Sequence, residues 1–272
     1  MTEEKIALVT GVSSGIGQAT AILLAKRGFR VFGTMRNPTE PNESLQNVEV
    51  VQLDVRDEDS VRSGVRAVLD RAGRIHALVN NAGYALIGSS EETSIEEAKD
   101  LFETNFFGVL RMSRAVLPVM RGQGYGRIAN VGSVVGFVPA PFQAIYAASK
   151  HALEGYSESL DQELRRFGVR VSVIEPGFTR TNISHNSQVA QRLLDVYESE
   201  RNGVLRAVRE SIERGAVPGM AAAVVLEALT SRSPRLRYPA GREAKFLSLL
   251  RKFAHSGLFD RGLRKQFGLG SA

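Results

Sequence analysis

A chain of 272 residues with 43% apolar side chains is long enough to bury a sizeable core as one unit. It has no cysteine, which excludes disulfides, thiolate catalysis and Cys-ligated zinc. Its net charge of +6 is uneven: ten Lys/Arg face two acids between Arg232 and Ala272, so the body sums to about −2 and does not read as a nucleic-acid binder.

The opening residues run straight into Ile6–Val9, an apolar run too short for a signal-peptide core. No apolar run reaches the roughly 18 residues of a membrane span, so a cytoplasmic location is expected. Ile6–Val9 predicts a buried strand. Gly15–Arg27 follows as a helix, with Ile16, Ala19, Ile22, Leu23 and Leu24 on its apolar stripe and Gly28 as its stop. Arg30–Thr34 and Val48–Leu53 read as strands, and Asp57–Ala72 as a helix capped by Asp57. Ala77–Asn80 is the next strand. Ser94–Met120 predicts a long helix, with Ser94 and Glu97 forming a capping box. Arg127–Val131, then Ala144–Phe167, then Val169–Ile174 read as strand, helix and strand. Residues 182–217 are polar and weakly periodic, and read as a mobile insertion before a helix at Gly219–Ser231. Short apolar strands alternating with helices predict an α/β fold: a doubly wound parallel sheet with helices on both faces. Residues 1–240 form one domain in this reading, and 241–272 a basic amphipathic extension. The four histidines, His76, His151, His185 and His255, lack metal-ligand spacing, so no metal is expected.

The segment Thr10-Gly11-Val12-Ser13-Ser14-Gly15-Ile16-Gly17 joins the first strand to the first helix. Glycines there let backbone approach a pyrophosphate, and the helix N-terminus supplies free N–H groups and partial positive charge. An acid at the end of the second strand would bond the ribose hydroxyls of NAD. Here the chain reads Met35-Arg36, and Arg36 can grip a 2′-phosphate. That favours NADP(H), with Ser13 or Ser14 adding a hydroxyl; the alternative is a solvated arginine after a strand.

Tyr146 and Lys150 stand at i and i+4 on one helix face. A phenol near pKa 10 is a poor base. A nearby ammonium is expected to favour the phenolate and pull that pKa toward neutral pH. Ser133, thirteen residues before Tyr146, follows the fifth strand and can bond a substrate oxygen.

The ordered set Thr10–Gly17, Asp54-Val55, Asn80-Asn81-Ala82-Gly83, Asn105, Ser133, Tyr146-Ala147-Ala148-Ser149-Lys150 and Pro176-Gly177 resembles the short-chain dehydrogenase/reductase family from about Lys5 to Thr181. The resemblance implies a Rossmann-type fold and oxidoreduction between an alcohol and a carbonyl, with Tyr146 exchanging the proton. It also implies that Lys150 bonds the nicotinamide ribose and that Asn105 positions a water behind Lys150. Asp54 and Val55 are expected near the adenine, and Asn81, Ala82 and Gly83 beside the adenosine ribose. Pro176-Gly177 is expected under the nicotinamide, with Thr179 and Thr181 as carboxamide and phosphate contacts. Gly11, Gly15, Ile16 and Gly17 complete the phosphate loop.

An apolar pocket is expected from Tyr84, Leu86, the Val134–Phe142 segment and the 182–217 insertion, with Phe137, Pro139, Pro141, Phe142 and Ile183 making it apolar. The Gly-Val-Ser-Ser-Gly loop, Val31–Arg36 and the C-terminal extension resemble the hydroxysteroid and retinol dehydrogenase branch. An apolar steroid-, retinoid- or long-chain-like ketone or aldehyde is therefore the expected substrate. The alternatives are a 3-oxoacyl-carrier-protein reductase and a non-catalytic NADP(H) sensor. In the tail, Phe246, Leu247, Leu249, Leu250 and Phe253, continued by Phe259, Leu263 and Phe267, form an apolar stripe among basic residues. It reads as packing on the body or on a second subunit of a homo-oligomer, with a peripheral membrane contact as the alternative.

Overall fold

The structure is a computed structural model that describes residues 4–38, 43–180 and 188–269. Its main sheet forms because short runs rich in Val, Ile, Leu and Ala can be buried on both faces only if helices cover both. β1 (Lys5–Thr10) pairs with β2 (Phe29–Met35) on one side and with β4 (Ala77–Asn80) on the other. β3 (Glu49–Gln52) lies outside β2. A two-residue β5 (Leu86–Ile87) follows β4 in the chain. Beyond β4 the main sheet continues through β6 (Gly126–Val131) and β7 (Val169–Pro176). The order is β3-β2-β1-β4-β6-β7-β9, all neighbours parallel, with β8 (Gln188–Val189) paired to β5 and β9 (Arg237–Ala240) closing the edge. The winding reverses between β1 and β4, so a crevice opens at their C-terminal ends.

α1 (Gly15–Lys26) packs Ala21 and Leu24 on one face of the sheet beside Ala221 and Val225 of a later helix. On the other face, α2 (Glu58–Ala72) contributes Val61, Val65 and Val68, and α4 (Gly108–Gln123) contributes Met112, Val116 and Met120. α5 (Ala144–Leu164) adds Leu160 and Leu164 there. The expected caps are in place. Asp57 accepts from the Ser60 amide at 2.6 Å, and Ser94 and Glu97 close a capping box before α3 (Ile95–Phe102). Gly28 ends the α1 connection at φ +82°.

Three features differ from the sequence reading, and a fourth follows it in part. The single helix expected over Ser94–Met120 is interrupted by a π turn at Glu103–Phe107, between α3 and α4. The 182–217 segment is not a loop insertion throughout. It carries α6 (Glu198–Glu213), whose Val204, Val208 and Ile212 are buried in a third core cluster. Arg201 of α6 is buried in an ion pair with Glu92. After α7 (Pro218–Thr230) comes β9, a strand not anticipated because Arg237-Tyr238-Pro239-Ala240 lacks an apolar run. Pro239 is tolerated there because β9 is an edge strand. Finally, the tail forms two helices, α8 (Arg242–Phe253) and α9 (Ser256–Gln266). Leu247, Leu250, Phe259, Leu263 and Phe267 pack against α6, as the packing reading expects, while Phe246, Leu249 and Phe253 of the same expected stripe stay exposed.

Candidate active site

A groove of about 710 Å³ runs along the crevice, from the β1–α1 turn to the β7 end. At its nucleotide end, Gly11 and Gly15 take positive φ values of 71° and 63°. A Cβ on Gly11 would stand 3.0 Å from the Ala82 Cα, so only glycine lets the two chain segments meet. Thr10 Oγ1 accepts from the amides of Asn81 (2.9 Å) and Ala82 (3.1 Å). The Asn81 side chain donates back to the Thr10 and Gly11 carbonyls at 2.9 and 3.0 Å. These bonds lock the ends of β1 and β4 together under the turn. Ser14 caps α1 without a side-chain bond, and the first turn of α1 carries no acid. The helix N-terminus is thus left with its positive partial charge, as an anion requires.

Gly11, Ser13, Ser14, Gly15, Ile16, Arg36, Asp54, Val55, Asn81, Ala82 and Gly83 all line the groove. Gly17 does not. It is buried behind the loop, where a Cβ would lie 2.2 Å from the Gly11 carbonyl oxygen. It sets helix–strand packing and leaves the groove to its neighbours. Arg56, which the motif reading passed over, joins Arg36 at this end. Its guanidinium bonds both carboxylate oxygens of Asp54, at 2.8–3.2 Å. Those bonds hold the Asp54 carboxyl below its ordinary range, and the Arg36 charge adds to the effect. Its place two residues after Asp54 was the available signal.

At the chemical end, Ser133, Tyr146, Lys150, Pro176, Gly177 and Thr179 line the same groove. Tyr146 and Lys150 face the same side, with Nζ 5.9 Å from the ring centroid. Ser133 accepts from the Val135 amide at 3.3 Å and is hydrogen-bonded to the Tyr146 hydroxyl. Burial pushes the Tyr146 phenol up to about 12, while the Ser133 bond pulls the other way. The expected lowering by Lys150 is therefore not what this structure has. The ammonium is directed to the Val131 carbonyl at 2.9 Å, and desolvation of the phenol wins. Burial also brings Lys150 down to about 8, with the Glu154 carboxyl raising it. The phenol thus keeps its proton at neutral pH and can donate it to an oxygen placed in the groove.

Asn105 sits in the π turn, buried and outside the groove lining. Its Oδ1 accepts from the Tyr84 amide at 3.1 Å, and its Nδ2 donates to the Tyr84 carbonyl (2.9 Å) and the Ser149 hydroxyl (3.3 Å). Its side chain fixes the turn after Gly83 against the residue preceding Lys150. Thr181 and Ile183 lie outside the described residues.

A second ionisable group lies beneath Lys150. Glu154 and Glu175 are buried, and Arg237 Nε reaches them at 3.0 and 3.5 Å respectively. One guanidinium stands against two carboxyls, and burial with the Glu154 charge pushes Glu175 up to about 8. A glutamate inside the apolar run of β7 was the sequence signal for it.

The aromatic loop is not the pocket wall. Phe137 and Phe142 pack into the third core cluster, and Leu86 is buried beside Leu101. Of the expected lining, Tyr84, Val134, Val135 and, from the 182–217 segment, Val208 and Ile212 face the groove, joined by Ile87, Phe178 and Phe267. Phe267 follows the last helix, α9, and no local pattern could bring it to the groove.

A doubly wound sheet, a glycine turn feeding a helix N-terminus, and a serine, tyrosine and lysine converging at the far end define a dinucleotide-binding oxidoreductase. The sequence pattern of the short chain dehydrogenase family matches residues 5–192, and the chain belongs to that family. It is 36% identical over 242 residues to a 3-ketodihydrosphingosine reductase of Bacteroides thetaiotaomicron, covering 88% of each chain. It is 36% identical over 249 residues to bovine retinol dehydrogenase 8, covering 85% of this chain and 79% of the relative. A short-chain dehydrogenase structure from Streptomyces avermitilis superposes with a TM-score of 0.80 at 32% identity, over 96% of this chain and 99% of that one. Solved relatives hold either nucleotide. One from Burkholderia phymatum is in complex with NAD (TM-score 0.80, 25% identity, 95% of each chain). A metagenomic one is in complex with NADP (TM-score 0.66, 28% identity, 86% of this chain and 95% of that one). The chain is thus an oxidoreductase of a family acting on CH–OH groups with NAD(P)(H). Among the described residues, no helix is long and apolar enough to cross a membrane.

Proposed function

We propose that this chain is an NADP(H)-dependent oxidoreductase that interconverts an apolar alcohol and its ketone or aldehyde. The carrying observation is that Ser133, Tyr146 and Lys150 share one groove with a pair of arginines, Arg36 and Arg56. Met35 stands where an NAD-binding sheet carries its acid, and Arg36 follows it on the groove; Arg56, whose charge Asp54 already pairs, is the second arginine at this end. The uncapped α1 terminus and the glycine contacts at Gly11 fit a pyrophosphate, with Asp54, Val55, Asn81, Ala82 and Gly83 along the adenosine half. Pro176, Gly177, Thr179 and Lys150 would hold the nicotinamide half. The bound dinucleotide supplies or accepts the hydride. In reduction, Ser133 orients the substrate oxygen and Tyr146 gives it a proton, leaving a phenolate beside the Lys150 ammonium. A phenol pushed up to about 12 is supplied in its donating form at neutral pH.

Ile87, Val135, Phe178, Val208, Ile212 and Phe267 give the substrate end its apolar character. Relatives named for 3-ketodihydrosphingosine and for retinol point the same way. The test is initial rates of NADPH and NADH oxidation against steroid, retinoid, 3-oxoacyl and small polar carbonyls. NADPH is expected to be preferred, turnover to be confined to apolar carbonyls, and Arg36→Ala to weaken the NADPH preference about tenfold or more. A wild-type preference for NADH, or activity only on small polar ketones, overturns the reading.

The rate of reduction is also expected to fall as pH rises through about 8. The Lys150 ammonium is present below that value and lost above it. Because the Glu154 charge raises Lys150, Glu154→Gln is expected to move this limb to lower pH. A kcat profile whose limb does not move contradicts the assignment.

A further inference from the structure

We propose that the outer face of α8 docks the protein on an anionic bilayer surface. This rests on the described geometry of the tail and not on the substrate reading. α8 is apolar on two faces. Leu247 and Leu250 face the body and pack against the cluster that includes Val204 and Val208. Phe246, Leu249 and Phe253 form a second stripe, at i, i+3 and i+7, and are 62%, 60% and 76% exposed. Leu258, at the start of α9, is 64% exposed. A packed soluble face would not hold four large apolar side chains this far out together.

Charge selects the occupant. Arg242, Lys245 and Lys252 are exposed on the same helix, and Lys252 Nζ lies 5.6 Å from the Phe253 ring centroid. Residues 232–272 carry ten basic and two acidic side chains. A second copy of the chain would bring a like-charged face against this one, which disfavours self-association through it. Apolar side chains that protrude from a convex helix among cations match the interfacial zone of an anionic membrane, where rings and leucines enter the acyl boundary and cations meet headgroups. The same C-terminal segment carries Phe267, which lines the apolar end of the groove.

The experiment is sedimentation of the full chain with vesicles of phosphatidylcholine, alone or mixed with phosphatidylglycerol, at low and high salt. Binding is expected to the mixed vesicles, to fall with salt, and to be weak on phosphatidylcholine alone. Lys245→Glu with Lys252→Glu is expected to reduce partitioning about tenfold or more. Phe246→Ser with Leu249→Ser and Phe253→Ser is expected to reduce it by about a hundredfold. Unchanged thermal unfolding and NADPH binding show that both variants fold. Wild-type protein that stays in the supernatant at low salt, or variants that pellet as well as wild type, overturn the proposal. So does a wild-type oligomer in solution that the triple serine variant converts to monomers, which would make this face a contact between copies.

Discussion

Tyr146→Phe is expected to lose about 10²–10⁴-fold in kcat for carbonyl reduction while binding NADPH within about twofold of wild type. The substitution keeps the ring, and with it the packing beside Leu101 and Ala85. It removes only the hydroxyl that Ser133 bonds and that burial keeps protonated. Ser133 is not stranded, because its oxygen still accepts from the Val135 amide. The stability loss should therefore be small, and the change should appear in turnover. Stopped-flow measurement of the hydride step with saturating NADPH separates the two effects. A variant that keeps a tenth or more of wild-type turnover removes Tyr146 as the proton donor. One that loses both nucleotide binding and thermal stability makes it a packing residue.

The second large effect is expected at Gly17, which touches no ligand. An added Cβ would sit 2.2 Å from the Gly11 carbonyl oxygen and 2.3 Å from Asn81 Nδ2. Neither can yield cheaply. The carbonyl belongs to the loop backbone, and the Asn81 amide is the clamp that joins β1 to β4. Gly17→Ala is thus expected to push α1 off the sheet, at about 3 kcal/mol and about 10 °C in Tm. NADPH affinity should fall by more than tenfold, because the helix N-terminus moves away from the loop. Calorimetry and fluorescence titration check both. Unaltered stability and binding would mean that α1 sits farther from β1 than the structure places it.

The sheet was legible from sequence wherever a strand is buried on both faces, because such strands must be short, uninterrupted apolar runs. β9 was not legible, since an edge strand can carry Arg237 and Pro239 without penalty. α6 was obscured for a related reason. Its buried Val204, Val208 and Ile212 are spaced four apart, but Arg201 is also buried, and its partner Glu92 lies far back in the chain. The site divides the same way. The glycine turn, Ser133, Tyr146 and Lys150 are each positioned by an adjacent strand end or helix, so spacing finds them. The 182–217 segment was expected at the groove, but which of its side chains reach it, Val208 and Ile212 beside Phe267, depends on how a distant helix pair folds back. The phenol's state was misjudged because i, i+4 spacing says that two groups are close but not which one water has left. Burial decided it, and burial is a property of the whole fold.

The parallel pairing of β7 with β9 has a consequence for how the chain is made. β7 ends at Pro176, which with Gly177 lines the groove, and Pro176 is in register with Ala240. Until the last strand leaves the ribosome, β7 is an open border with unpaired amides and carbonyls, a template on which another nascent chain could lay a strand. The wall of the groove is therefore among the last parts to be secured. A transcript cut short before Arg237 would yield a product that is both unfinished at its working edge and prone to stick to its siblings.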